Sequence, residues 1–244
     1  MKRFLAFAGI DGKLDVLEGL QTAITQRRPD ALLFAGSVNC RNGVSTAKRP
    51  DLTPEQAQRY QRFFEWLGEC GIPSAVIPGP YDVPLEAFLK TGMGAEVETG
   101  NVHLVEGTLW ETGDTAVCGA GGTLTEHITA EYPEVKLSRV MAEYALRSLA
   151  RSDRSLKVLL LSTPPNGKLG GDAGSEIAGE LIDSLHPHLV VVGGPSDCRG
   201  IERVAHTWVV NPGRICEGHA VWIDWTRPGD QRVELIDVPS LAAR

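Results

Sequence analysis

The stretch FLAFAGIDGK, residues 4–13, decides how this chain is read. Its five leading apolar residues, 4–8, form an unbroken run that reads as a strand buried on both faces, and the glycine that follows lets the backbone turn sharply at the strand end. Leu14, Leu17, Leu20 and Ile24 then recur at helical spacing before a second apolar run, residues 31–35. That is a β-α-β unit, which requires a parallel sheet with a right-handed crossover.

The alternation continues outward from it. Thr53 as N-cap, Pro54 at the first helical position and Gln56 three residues after the cap announce a helix whose Ala57, Tyr60, Phe63, Phe64 and Leu67 share one face. Residues 75–77 read as a strand, 85–89 as a short helix, and 102–105 and 115–118 as shorter strands. A long helix near 137–150 is expected to turn Met141, Tyr144, Ala145 and Leu149 inward. A strand at 158–161, a helix capped by Ser175 and carrying Ile177, Leu181, Ile182 and Leu185, and a strand at 189–192 follow. Residues 207–210, 220–225 and 232–236 read as a terminal meander, with Trp208, Trp222 and Trp225 as packing residues. The expected class is α/β, with two mixed sheets packed face to face and helices outside, as one domain over residues 1–244.

At 244 residues and 42% hydrophobic content the chain can bury a full core. A net charge of -7 argues against nucleic acid or an anionic membrane as partner, since both need clustered Lys and Arg. The first apolar run is broken at once by Gly9 and Asp11, leaving no signal-peptide core and no membrane span, so a cytoplasmic location is expected. The 5 cysteines are odd in number and include no C-x-x-C pair, which points to reduced thiols.

In parallel α/β sheets ligands bind beyond the carboxyl ends of the strands. Five strand-terminal loops therefore stand out: GIDGK at 9–13, GSVN at 36–39, GPYD at 79–82, STPP at 162–165 and GGPS at 193–196. Their order resembles the five-motif ladder of calcineurin-like metallophosphoesterases, in which strands are followed in turn by D-x-H-G, G-D, G-N-H-D, H and G-H-x-H. GGDAGS at 170–175, and NPG at 211–213 followed by Glu217 and Gly218, are similar to late turns of that family. Gly119 to Gly122, Thr125-Glu126-His127 and Ala142-Glu143-Tyr144 resemble a bacterial and archaeal branch whose metal motifs are eroded.

The resemblance implies the family's four-layer sandwich and a site without most of its ligands. Gly9 stands for the first aspartate, Asp11 for the first histidine, Ser37 for the bridging aspartate and Pro80 for the asparagine ligand. Tyr81 takes the place of the catalytic histidine, while Asp82, its orienting partner, is retained. Ser162, Gly194 and Ser196 replace the remaining three histidines. Hydroxyls bind divalent metals poorly, so the expectation is a non-catalytic or weakly active protein, with no catalytic residue and no binuclear metal, that recognises a phosphate-containing ligand or a protein partner. One alternative is an active phosphodiesterase or phosphatase with a single Mn²⁺ or Mg²⁺ held by Asp11, Asp82 and Asp197. Another is metal-free binding of a phosphate-containing small molecule, with charge from Lys13, Arg41 and Arg199. The candidate pocket is thus Asp11, Lys13, Ser37, Asn39, Arg41, Tyr81, Asp82, Ser162, Ser196 and Asp197.

Ordinary roles compete for several of these: Asp11 as a helix cap, Asp82 as an acceptor for local amides, Asp197 in a solvated turn. His186 and His188 read as structural despite their H-x-H spacing, and Glu126 with His127 is a loop pair that either reaches the pocket or makes exposed contacts. A third class is a scaffold or homo-oligomer that keeps only the fold, marked by an apolar exposed patch over the terminal strands.

Overall fold

The computed structural model describes residues 1–40, 52–128, 134–227 and 229–239. Four parallel strands, β1 (Arg3–Phe7), β2 (Ala31–Phe34), β3 (Ser74–Val76) and β4 (Val102–Leu104), form most of one sheet; β13 (His219–Asp224) joins β1 antiparallel and β14 (Arg232–Asp237) forms the edge. In the second sheet β6 (Thr115–Ala120), β9 (Leu156–Leu161), β10 (Leu189–Val192) and β12 (Thr207–Asn211) are parallel. Its antiparallel edges are β5 (Trp110–Thr112) and β11 (Gly200–Val204). A small parallel pair, β7 (Thr123–Thr125) with β8 (Lys136–Ser138), stands apart from both.

Alternation along each strand builds the layers. On β1, Phe4 and Ala6 face the second sheet and pack with Val158, Leu160 and Val191, whereas Leu5 and Phe7 face the helices. That helical layer is α1 (Val16–Arg27), α2 (Pro54–Cys70) and α3 (Leu85–Thr99), which contribute Leu20, Phe63, Phe64 and Phe88. On the far side α4 (Arg139–Arg151) and α5 (Glu176–Leu185) cover the second sheet through Leu146, Leu149 and Leu181. The architecture is the expected four-layer α/β/β/α sandwich. Thr53 and Gln56 form the reciprocal capping box that starts α2.

Several local expectations are corrected. The helix read at 85–89 runs on to Thr99, because Gly92 is a packing position: a Cβ there would lie 2.8 Å from Leu104 and Phe64. The terminal strands are not one meander, since β12 belongs to the second sheet and β13 with β14 to the first. On α4 the inward stripe is Ala142, Leu146 and Leu149; Met141 and Tyr144 point outward, 51% and 60% exposed. Ser175 sits at the N-cap of α5 without a capping hydrogen bond from its side chain. No helix among the described residues is long and apolar enough to cross a membrane.

Candidate functional site

The loops after β1 and β2 are bonded to each other through their backbones. Gly9 N–H donates to the Gly36 carbonyl at 2.9 Å, and the amides of Ile10 and Asp11 both donate to Ser37 O, at 2.8 and 3.1 Å. Asp11 and Ser37 hold left-handed conformations, φ 52° and 72°, which side chains other than glycine's adopt at a cost of roughly 1 kcal/mol or more. The arrangement is pinned from behind by Asp82. Its fully buried carboxylate accepts the amides of Ser37, Val38, Asn39 and Gly79 at 2.7 to 3.2 Å. Burial pushes its carboxyl up to about 6, with the four amides pulling the other way. Gly79 is required at the crossing, since a Cβ there would fall 2.2 Å from Ser37.

A cleft of about 660 Å³ opens where these loops meet those after β9 and β10. Asp11, Ser37, Tyr81 and Ser162 line it, as the sequence led one to expect. Ser196 is outside the lining, and its Oγ accepts the Arg214 amide at 3.1 Å. The other candidates are elsewhere. Lys13 and Asp197 are exposed outside the lining, and Arg41 lies outside the described residues. Asp82 and Asn39 are buried behind the loops, where Asn39 Oδ1 accepts from Arg59 Nη1 at 3.3 Å. Arg199 is bound to Asp237 and to the Ile236 carbonyl, both at 2.7 Å. Neither Lys13 nor Arg199 lines the cleft.

Arg214, which sequence reasoning did not select, is the cation that lines it among the described residues. Its Nε and Nη2 both lie 2.6 Å from Asp11 Oδ2, and Cys216 Sγ approaches the same oxygen at 3.4 Å. Burial, then the Asp11 charge, push the Cys216 thiol up to about 11. Asp11 does not cap α1, whose N-cap is Asp15. The only available signal for Arg214 was its place directly after the Asn211-Pro212-Gly213 turn. Glu134, Thr123 and Asp172 also line the cleft and were not singled out.

Behind the β7 wall, Glu106 accepts the Gly121 amide at 2.6 Å, and burial raises its carboxyl to about 7. Glu126 and His127 are exposed outside the cleft, Glu126 paired with Arg139 at 2.6 Å. His186 ends α5 in a left-handed conformation and His188 Nδ1 accepts the Lys157 amide, so both are structural.

The donor set does not fit a binuclear metal centre. Gly9, Pro80 and Gly194 bring no side-chain donor, the Ser162 hydroxyl donates to the Gly122 carbonyl at 2.7 Å, and Asp11 is neutralised by Arg214. Neighbours fill the space that ligands would need. A Cβ on Gly9 would meet Arg214 at 3.1 Å, and one on Gly194 would lie 2.5 Å from Asn211 Nδ2. Of the three aspartates expected to hold a single cation, Asp11 lines the cleft, Asp82 is buried behind the loops and Asp197 is exposed outside the lining. Among the described residues no group of three or more His, Cys, Asp or Glu side chains is placed to hold a metal ion.

Comparison with known proteins agrees with this frame. A family model described as "Metallophosphoesterase, calcineurin superfamily" matches residues 1–235. One solved crystal structure superposes with a TM-score of 0.83 at 27% identity, covering 98% of this chain and 99% of its own. The protein TT1561 of Thermus thermophilus gives 0.82 at 25% identity with the same coverage, 98% and 99%. GAP50, described as the anchor in the inner membrane complex of Plasmodium, shares the fold at 12% identity and a TM-score of 0.54, over 98% of this chain and 89% of its own. No curated protein matches the sequence.

Proposed function

The chain belongs to the calcineurin superfamily of metallophosphoesterases, and from that premise we propose that its cleft binds a phosphate-containing small molecule without hydrolysing it. The observation that carries this reading is the Asp11–Arg214 pair: a guanidinium inside the chain is the positive charge in a cleft whose fold otherwise takes it from metal ions. A guanidinium orients oxyanions through directional N–H donors, but it does not lower the pKa of a water as a metal does. Binding is thereby separated from hydrolysis.

The lining carries Asp11, Glu134 and Asp172 against Arg214, so an anion gains no general attraction and must be held by direct donors. The acidic groups suit a ligand that also presents hydroxyl or amino donors, as a phosphorylated sugar or nucleoside does. The test is metal content of protein purified without chelator or affinity histidines, bis-p-nitrophenyl phosphate hydrolysis with added Mn²⁺, and calorimetric titration with adenosine monophosphate and inorganic phosphate. We expect no turnover, and nucleotide binding weakened about tenfold by Arg214→Ala. Near-stoichiometric metal with turnover that Asp11→Ala removes would overturn the proposal.

A further inference from the structure

Independently of the cleft, we propose that two copies of this chain associate through the outer face of α4, the helices crossing antiparallel over Ala145. Val140, Met141 and Tyr144 are 70%, 51% and 60% exposed within little more than one turn of a helix whose other side is already packed on the second sheet. Ile128, 61% exposed, is held near the same end, because Glu126 two residues earlier is paired with Arg139. This is the largest concentration of exposed apolar side chains among the described residues, and it lies on α4 rather than over the terminal strands.

The charges on this face select a second copy as the occupant. Glu143 and Arg147 are four residues apart on one edge of the helix, the spacing of an internal ion pair. No such pair forms among the described residues: Arg147 instead lies over the Tyr144 ring, 3.7 Å from its centroid. When two identical helices pack antiparallel about a two-fold axis, each edge meets the same edge of its mate. An axis at Ala145 sets Glu143 against Arg147 of the second copy, twice. The same register brings Arg151 to Arg139 of the second copy, which is already held between Glu126 and Glu180, so one positive charge meets a net negative cluster. One helix face buries less than the roughly 800 Å² per partner of a standard interface, so association in the micromolar range is expected.

Sedimentation velocity of the full chain across the micromolar range tests this. Wild type should show a concentration-dependent dimer. Glu143→Arg and Arg147→Glu should each be monomeric alone, and mixing the two variants should restore a dimer, because one then carries only arginine and the other only glutamate on that edge. Val140→Asp should abolish association without touching the charges. A wild type that stays monomeric throughout, a dimer that none of these substitutions weakens, or a mixture that does not recover would each overturn the proposal. Thermal melts at concentrations below the association range should match wild type, which separates lost association from lost folding.

Discussion

Asp82 and Asp11 both sit in loops at the ends of strands in the first sheet, and they meet opposite fates. Asp82 is sealed beneath the loops and accepts four backbone amides. Asp11 lines the cleft with its carboxylate only 9% exposed, held by a single guanidinium that is itself 41% exposed, and accepts no backbone amide among the described residues. The difference teaches which part of a site belongs to the fold. A carboxylate that satisfies buried amides cannot leave without unmaking the loops, whereas donors that only face solvent or ligand can be exchanged while the backbone stays in place.

The largest expected effect tests the buried half of that contrast. Asp82→Ala strips the acceptor from four amides and should cost about 3 kcal/mol or more, read by urea unfolding; Asp11→Ala should cost far less, and equal losses would break the distinction. Glu106 is a half-buried carboxylate that accepts one amide, from Gly121. Its carboxyl is raised from 4.5 to about 7, so the folded chain holds a proton that the unfolded chain has released, and stability falls as pH rises across that window. Glu106→Gln should flatten this dependence in unfolding measured between those limits, while keeping an acceptor for Gly121. Arg214→Ala should cost about 2 kcal/mol, since the guanidinium is 41% exposed but its loss leaves the Asp11 carboxylate, 9% exposed, without a charge partner. Lys13→Ala should leave stability unchanged to about 0.5 kcal/mol and ligand titrations unaltered; a measurable loss of binding would bring Lys13 back into the site.

The framework was legible because it is written locally. Unbroken apolar runs, several of them closed by glycine, mark the parallel strands, and the capping box at Thr53 marks α2. What escaped depends on contacts distant in sequence. Arg214 meets Asp11 across 203 residues, and nothing near either position announces the pair. The glycines of α3 suggest a stop until Leu104 and Phe64 are seen against Gly92. On α4 apolar residues occupy two faces, so periodicity alone does not choose between Met141 with Tyr144 and Leu146 with Leu149. The three-residue strands β7 and β8 are too short to carry a period, yet they place Thr123 in the cleft wall.

Asn211 gives the altered cleft a direction in mutational space. Its Nδ2 lies within hydrogen-bonding range of the carbonyls of Leu169, Pro195 and Cys198, and its Oδ1 accepts the Gly213 amide. A histidine at 194 collides with it, and removing Asn211 first abandons all of those groups together. Each single step toward a metal ligand at that position therefore loses stability before it adds a donor. A side chain at 194 is thus coupled to Asn211: glycine fits the space its neighbours leave, and a larger residue requires simultaneous exchange around it.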